Sequence, residues 1–170
     1  MTETQETITA WANETFGPIA SIERGITRAN LEMAEALHEL TSDHDDWRER
    51  LIAECADVLI VLARVASCAM ETVTIPTRSM IAFPAHTLAS HALGVANTEL
   101  ARLYLIAAEA NLPTTRVHIS YTWNKVKAVI EFLGGDAQAA IDAKMAINRA
   151  RQWRRDGQGH AFHIPEGSAA

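Results

Sequence analysis

Apolar residues recur at helical spacing through most of this chain, and its few Gly and Pro residues fall between the periodic stretches. A short first helix is expected over residues 3–15, ended by Phe16-Gly17-Pro18. A second covers 21–40, with Met33, Leu37 and Leu40 on its core stripe. The polar stretch 41–46 connects it to a third, and its Asp residues can cap that helix. The third spans 47–69, where Leu51, Cys55, Leu59, Leu62 and Ala66 repeat at helical spacing. The β-branched run 72–77 is strand-like locally but has no partner run elsewhere, so it is assigned to a loop. A long Ala/Leu-rich helix follows over 83–111, stopped by Leu112-Pro113. A fifth helix, 117–133, closes at Gly134-Gly135, and a sixth, 136–155, starts from Asp136 as N-cap. A turn-rich tail begins at 156. No repeat and no linker divides the chain, so the pattern predicts a single all-α domain over 1–170, a helical bundle.

With 170 residues the chain can bury a real core, and 48 % hydrophobic with 21 % charged residues is an ordinary globular composition. The formal net charge of -6 argues against nucleic acid as a partner. It leaves room for a small anionic ligand held by metal ions and a local basic cluster. Cys55 and Cys68 fall in one helix and are expected to be reduced. The N-terminus lacks the basic and apolar regions of a signal peptide, and no apolar run reaches membrane-spanning length. The expectation is a cytoplasmic protein with no membrane partner.

Two acidic pairs change the picture most. Glu32-x-x-Glu35 and Glu54-x-x-Asp57 each have the i, i+3 spacing that puts two side chains on one helical face. The six-residue connection favours a hairpin of the second and third helices that brings the pairs level. Most helical carboxylates simply face water, but Glu54 and Asp57 sit in LIAECADVLIVLA, apolar on nearly every side. Four crowded, half-buried carboxylates need compensation. With no His or Cys in the pairs, a hard divalent cation suits them: Mg²⁺, two or more, with Mn²⁺ as substitute.

The sixth helix offers the complement. Lys144, Asn148, Arg151 and Arg155 fall at i, i+4, i+7 and i+11, a cationic stripe with one amide, and Arg149 and Arg154 lie off it. Cations near a helix C-terminus are favourable in themselves, yet so many in an acidic protein make a local anion site. Polyphosphate is the anion that needs both metal ions and Lys or Arg. Trp11, Phe16 and Trp153 are candidates to stack on a nucleobase, or core residues. His160 and His163 have metal-ligand spacing but no evident third ligand.

The acid pairs EMAE (32–35) and ECAD (54–57) resemble the metal-binding signature of the all-α nucleoside triphosphate pyrophosphatases, the MazG-like and dimeric dUTPase group. The segments ITAWANETFGP (8–18) and AIDAKMAINRARQWRRDGQGHAFH (140–163) are similar to the phage and bacterial dATP/dGTP pyrophosphohydrolase (MazZ) branch, which includes enzymes of phages that replace adenine with 2-aminoadenine. The resemblance implies a MazG-like bundle with a core of about 8–70 and 132–163 and an inserted helical pair at about 72–131. It implies Mg²⁺-dependent conversion of a purine (d)NTP, dGTP foremost, with dATP or GTP as others, to (d)NMP and pyrophosphate. Glu32, Glu35, Glu54 and Asp57 would then be metal-binding and catalytic. Lys144, Asn148, Arg151 and Arg155 would hold phosphate or sugar, and Trp11 would meet the base. A homodimer or homotetramer is expected, in the host cytosol for a phage-encoded chain. Two other classes stay open: a di-iron or di-manganese carboxylate bundle, and a non-catalytic assembly or regulatory module.

Overall fold

A computed structural model describes residues 2–73, 87–155, 157 and 161–163. The fold is all-α: α1 (Gln5–Phe16), α2 (Ile22–Glu39), α3 (Trp47–Cys68), α4 (Ala89–Ala108), α5 (Leu112–Phe132) and α6 (Ala137–Ala150), followed by a small hairpin of β1 (Trp153–Arg155) and β2 (Ala161–His163).

Local chemistry sets the helix ends. Thr4 and Thr7 form a reciprocal capping box at the start of α1. The helix ends at Gly17, whose φ of 87° lies where a side chain is disfavoured. Ser21 caps α2 by accepting from the Arg24 N–H, and Asp136 caps α6 by accepting from the Ala139 N–H.

α3 is the centre of the bundle. It packs on α2 most extensively and also on α1, α5 and α6, while α4 rests on α5 and α2. Ile26, Met33, Leu51, Leu59, Leu62, Leu93, Leu100, Trp123, Ile130 and Met145 belong to one continuous core. The α2–α3 contact is close because α2 has Gly25 there. A Cβ at that position would stand 2.6 Å from Val65 Cγ2, so only glycine lets the two helices approach this far.

Two expectations are corrected. Leu112-Pro113 does not merely stop a helix; it opens α5, five residues before the expected start. Asn111 accepts from the Thr114 N–H, and Pro occupies the first turn, where its missing N–H costs nothing. The preceding break is made at Ala110, whose φ is 55°. The sixth helix does not run to 155 but ends at Ala150, where Arg151 turns extended. Trp153, Arg154 and Arg155 instead pair antiparallel with His163, Phe162 and Ala161. The expected loop at 72–77, the first residues of the fourth helix and the tail at 156–160 fall largely outside the described residues, as do His160 and the His163 side chain. Among the described residues no helix is long and apolar enough to cross a membrane.

Candidate functional site

On α2 the buried positions Gly25, Ile26, Ala29, Glu32, Met33, Ala36 and Glu39 form one stripe. Helical periodicity that drives the apolar members inward therefore carries two carboxylates with them. Glu39 is answered at once by Arg50, whose Nε and Nη2 grip its two oxygens at 2.7 and 2.8 Å. Among the described residues Glu32 has Arg28, one turn back on the same helix, as its ion-pair partner. Burial pushes the Glu32 carboxyl up to about 7; Arg28 opposes this, and Asp57, Glu35 and Glu54 add to it.

From α3, Glu54 and Asp57 meet Glu32. One oxygen from each of the three lies within 4.8 Å of the others, a spacing at which a cation could be held. Among the described residues Glu54 Oε2 is buried without a hydrogen-bond partner. A buried carboxylate oxygen left so is costly, and it fits the expectation of a cation among these groups. Burial raises the Glu54 pKa, partly offset by Lys144.

α6 supplies that lysine. Lys144 Nζ lies 2.6 Å from Asp57 Oδ2 and 3.5 Å from Glu54 Oε1. Burial alone would lower its pKa, but the charge and hydrogen bond of Asp57, with Glu54, outweigh it, so the ammonium is held charged. One turn on, Asn148 Nδ2 donates to Asp57 Oδ1 at 3.4 Å.

These groups line a cavity of about 390 Å³, whose walls also include Trp11, Phe16, Arg28, Glu35, Val61, Arg64, Arg151 and Trp153. Trp11, Phe16 and Trp153 form an edge-to-face trio with centroids 5.1–6.4 Å apart. One end of the cavity is therefore acidic, with cations set into it, and the other is aromatic.

The structure thus brings together Glu32, Glu54, Asp57, Lys144 and Asn148, with Glu35, Arg151 and Trp11 on the same walls. Glu35 is exposed on the rim, outside the close trio. Arg155 is elsewhere: its guanidinium donates to the carbonyls of Thr15 and Glu14 at 2.5 and 2.6 Å and ties β1 to α1. Arg149 likewise serves the fold, forking the Glu3 carboxylate while its Cζ lies 5.7 Å from the Trp11 ring centroid.

Arg64 escaped the sequence reading as a site residue, although it continues the Glu54, Asp57, Val61 stripe of α3. It is buried, its Nη2 donates to the Gly17 carbonyl at 3.0 Å, and its Cζ lies 5.5 Å from the Phe16 ring centroid. Burial lowers its pKa to about 10. No protein-family model, no curated protein and no solved structure matches the chain.

Proposed function

We propose that this protein is a Mg²⁺-dependent pyrophosphohydrolase acting on nucleoside triphosphates, releasing the monophosphate and pyrophosphate. The observation that carries the reading is a single cavity with a carboxylate trio and Lys144 at one end and three aromatic rings at the other. Metal-bound phosphates fit the first and a nucleobase the second. The acid pairs' resemblance to the MazG-like family, and the flanking segments' similarity to its dATP/dGTP pyrophosphohydrolase branch, add a purine deoxynucleotide, dGTP foremost.

Glu32, Glu54 and Asp57 would hold the ion. Bound Mg²⁺ would neutralise the phosphate oxygens and lower the pKa of a water molecule. Water adds to the α-phosphorus as the bond to the β-bridging oxygen breaks, and pyrophosphate leaves with that electron pair. Arg28, Lys144 and Arg151 carry the positive charge that meets the leaving group. Glu35, which lines the same cavity outside the trio, would take the proton that the water gives up. No histidine joins the trio among the described residues, so oxygen ligands favour Mg²⁺ or Mn²⁺ over iron. Exposed Leu105, Val117 and Tyr121 on α4 and α5 support self-association through that pair.

A panel of the common NTPs and dNTPs with Mg²⁺, read for pyrophosphate against orthophosphate, tests the activity. Pyrophosphate from at least one purine nucleotide is expected. Release of none from any nucleotide overturns the reading.

A further inference from the structure

We propose that Arg64 selects the base, favouring a purine whose edge presents two adjacent acceptors, the O6 and N7 of a keto purine, over an aminopurine such as adenine. This rests on the nucleotide reading above and adds the residue that discriminates.

α3 acts as a ruler along the cavity. Glu54, Asp57, Val61 and Arg64, at i, i+3, i+7 and i+10, all line it. At 1.5 Å per residue, Arg64 stands about 10 Å beyond Asp57 along the axis. That is close to the span from the phosphorus of a nucleotide to the far edge of its base. Val61, between them, offers only apolar surface, suited to a sugar.

The aromatic trio cannot choose among bases, because every base has a face to stack. Arg64 can. Its guanidinium is fixed by the Gly17 carbonyl and the Phe16 ring, and the residue is 5 % exposed. The other cations of the cavity are directed to the acidic end or near it: Arg28 pairs with Glu32, Lys144 with Asp57, and Arg151 reaches Asn148. A guanidinium carries donors and no acceptor. Paired donors match guanine O6 and N7, whereas adenine places an amino donor where O6 would be, so donor would face donor.

The test compares kcat/KM of the full-length chain with Mg²⁺ on dGTP, dITP, 7-deaza-dGTP and dATP, for the wild type and for Arg64→Gln and Arg64→Lys. dGTP and dITP, which share O6 and N7, are expected to be turned over alike. Both should exceed dATP by roughly tenfold or more, with 7-deaza-dGTP in between. In Arg64→Gln the dGTP/dATP ratio should collapse towards one, chiefly through KM for dGTP, with partial recovery in Arg64→Lys. Equal turnover of dATP and dGTP by the wild type, no loss on removing N7, or an unchanged ratio in a folded Arg64→Gln overturns the inference and leaves the activity standing. Should Arg64→Gln fail to fold, Arg64→Lys decides in its place: a dGTP/dATP ratio equal to that of the wild type overturns the inference. Pyrophosphate from none of the four, nor from any other nucleotide, removes the underlying reading and this inference with it.

Discussion

The helix pairs α2–α3 and α4–α5 both bury charge, and they do it differently. In α4–α5, buried Glu99 reaches Arg102 at 3.5 Å and buried Lys127 reaches Glu131 at 3.7 Å, each partner on the same helix. In α2–α3, Glu32 from one helix meets Glu54 and Asp57 from the other, and Lys144 arrives from a third. Both pairs even leave a buried carboxylate oxygen without a hydrogen bond, Glu54 Oε2 in one and Glu99 Oε2 in the other. An orphaned oxygen therefore does not by itself mark a site. Convergence of charges from separate elements onto one cavity does.

The comparison breaks most sharply on activity. Glu54→Gln and Asp57→Asn should each lower metal-dependent pyrophosphate release by roughly 100-fold or more while circular dichroism stays helical. Glu99→Gln should stay within about twofold, as expected of a substitution outside the site. Equal losses from all three would erase the distinction.

Stability comes next. Lys144→Met strands two carboxylates and should cost about 3 kcal/mol in urea unfolding without metal. Lys127→Met should be neutral or stabilising, because its Nζ makes no hydrogen bond among the described residues and a methionine can pack in its place. A large loss from Lys127→Met would show that the second pair is also an organised charge centre.

The metal-free protein should also respond to pH through Glu32. Its folded pKa of about 7 exceeds the ordinary 4.5, so the folded state binds the proton more tightly. The stability this lends is present below pH 4.5 and is lost as pH rises through 7, about 3 kcal/mol over that interval. Glu32→Gln should flatten the profile. Divalent ions, which need the carboxylate deprotonated, should bind more tightly at pH 8 than at pH 6. A flat wild-type profile would show that Glu32 is not so perturbed.

The smallest effect is expected at Arg155. Arg155→Ala removes hydrogen bonds to two exposed carbonyls and should cost about 1 kcal/mol, read as a modest fall in Tm, with kcat unchanged.

Much of this arrangement was legible in the sequence. The i, i+3 acid pairs and the i, i+4 pair of Lys144 and Asn148 specify shared helical faces, and the short α2–α3 turn makes those faces meet. Spacing by three residues falls short of a full turn by about 60°, which is why Glu32 enters the trio while Glu35 stays on the rim. The start of α5 was written in Asn111-Leu112-Pro113-Thr114, a cap followed by a first-turn proline, but Pro reads equally well as a stop. The end of α6 was not legible. KMAINRARQWRR has helical propensity throughout, and the helix stops because of contacts made by the residues that follow it. The Trp153 indole donates back to the Asn148 carbonyl, Arg154 and its neighbours pair with 161–163, and Arg155 reaches α1.

Glu3 gives the molecule an order of assembly. Its amide bonds Asp142, its carbonyl accepts from Gln138, and its carboxylate holds Arg149 across 146 residues of chain. Contacts of such separation form late. A nascent chain would expose the three acids before the lysine that balances them exists, so competence should appear late, when α6 emerges from the ribosome and latches onto Glu3.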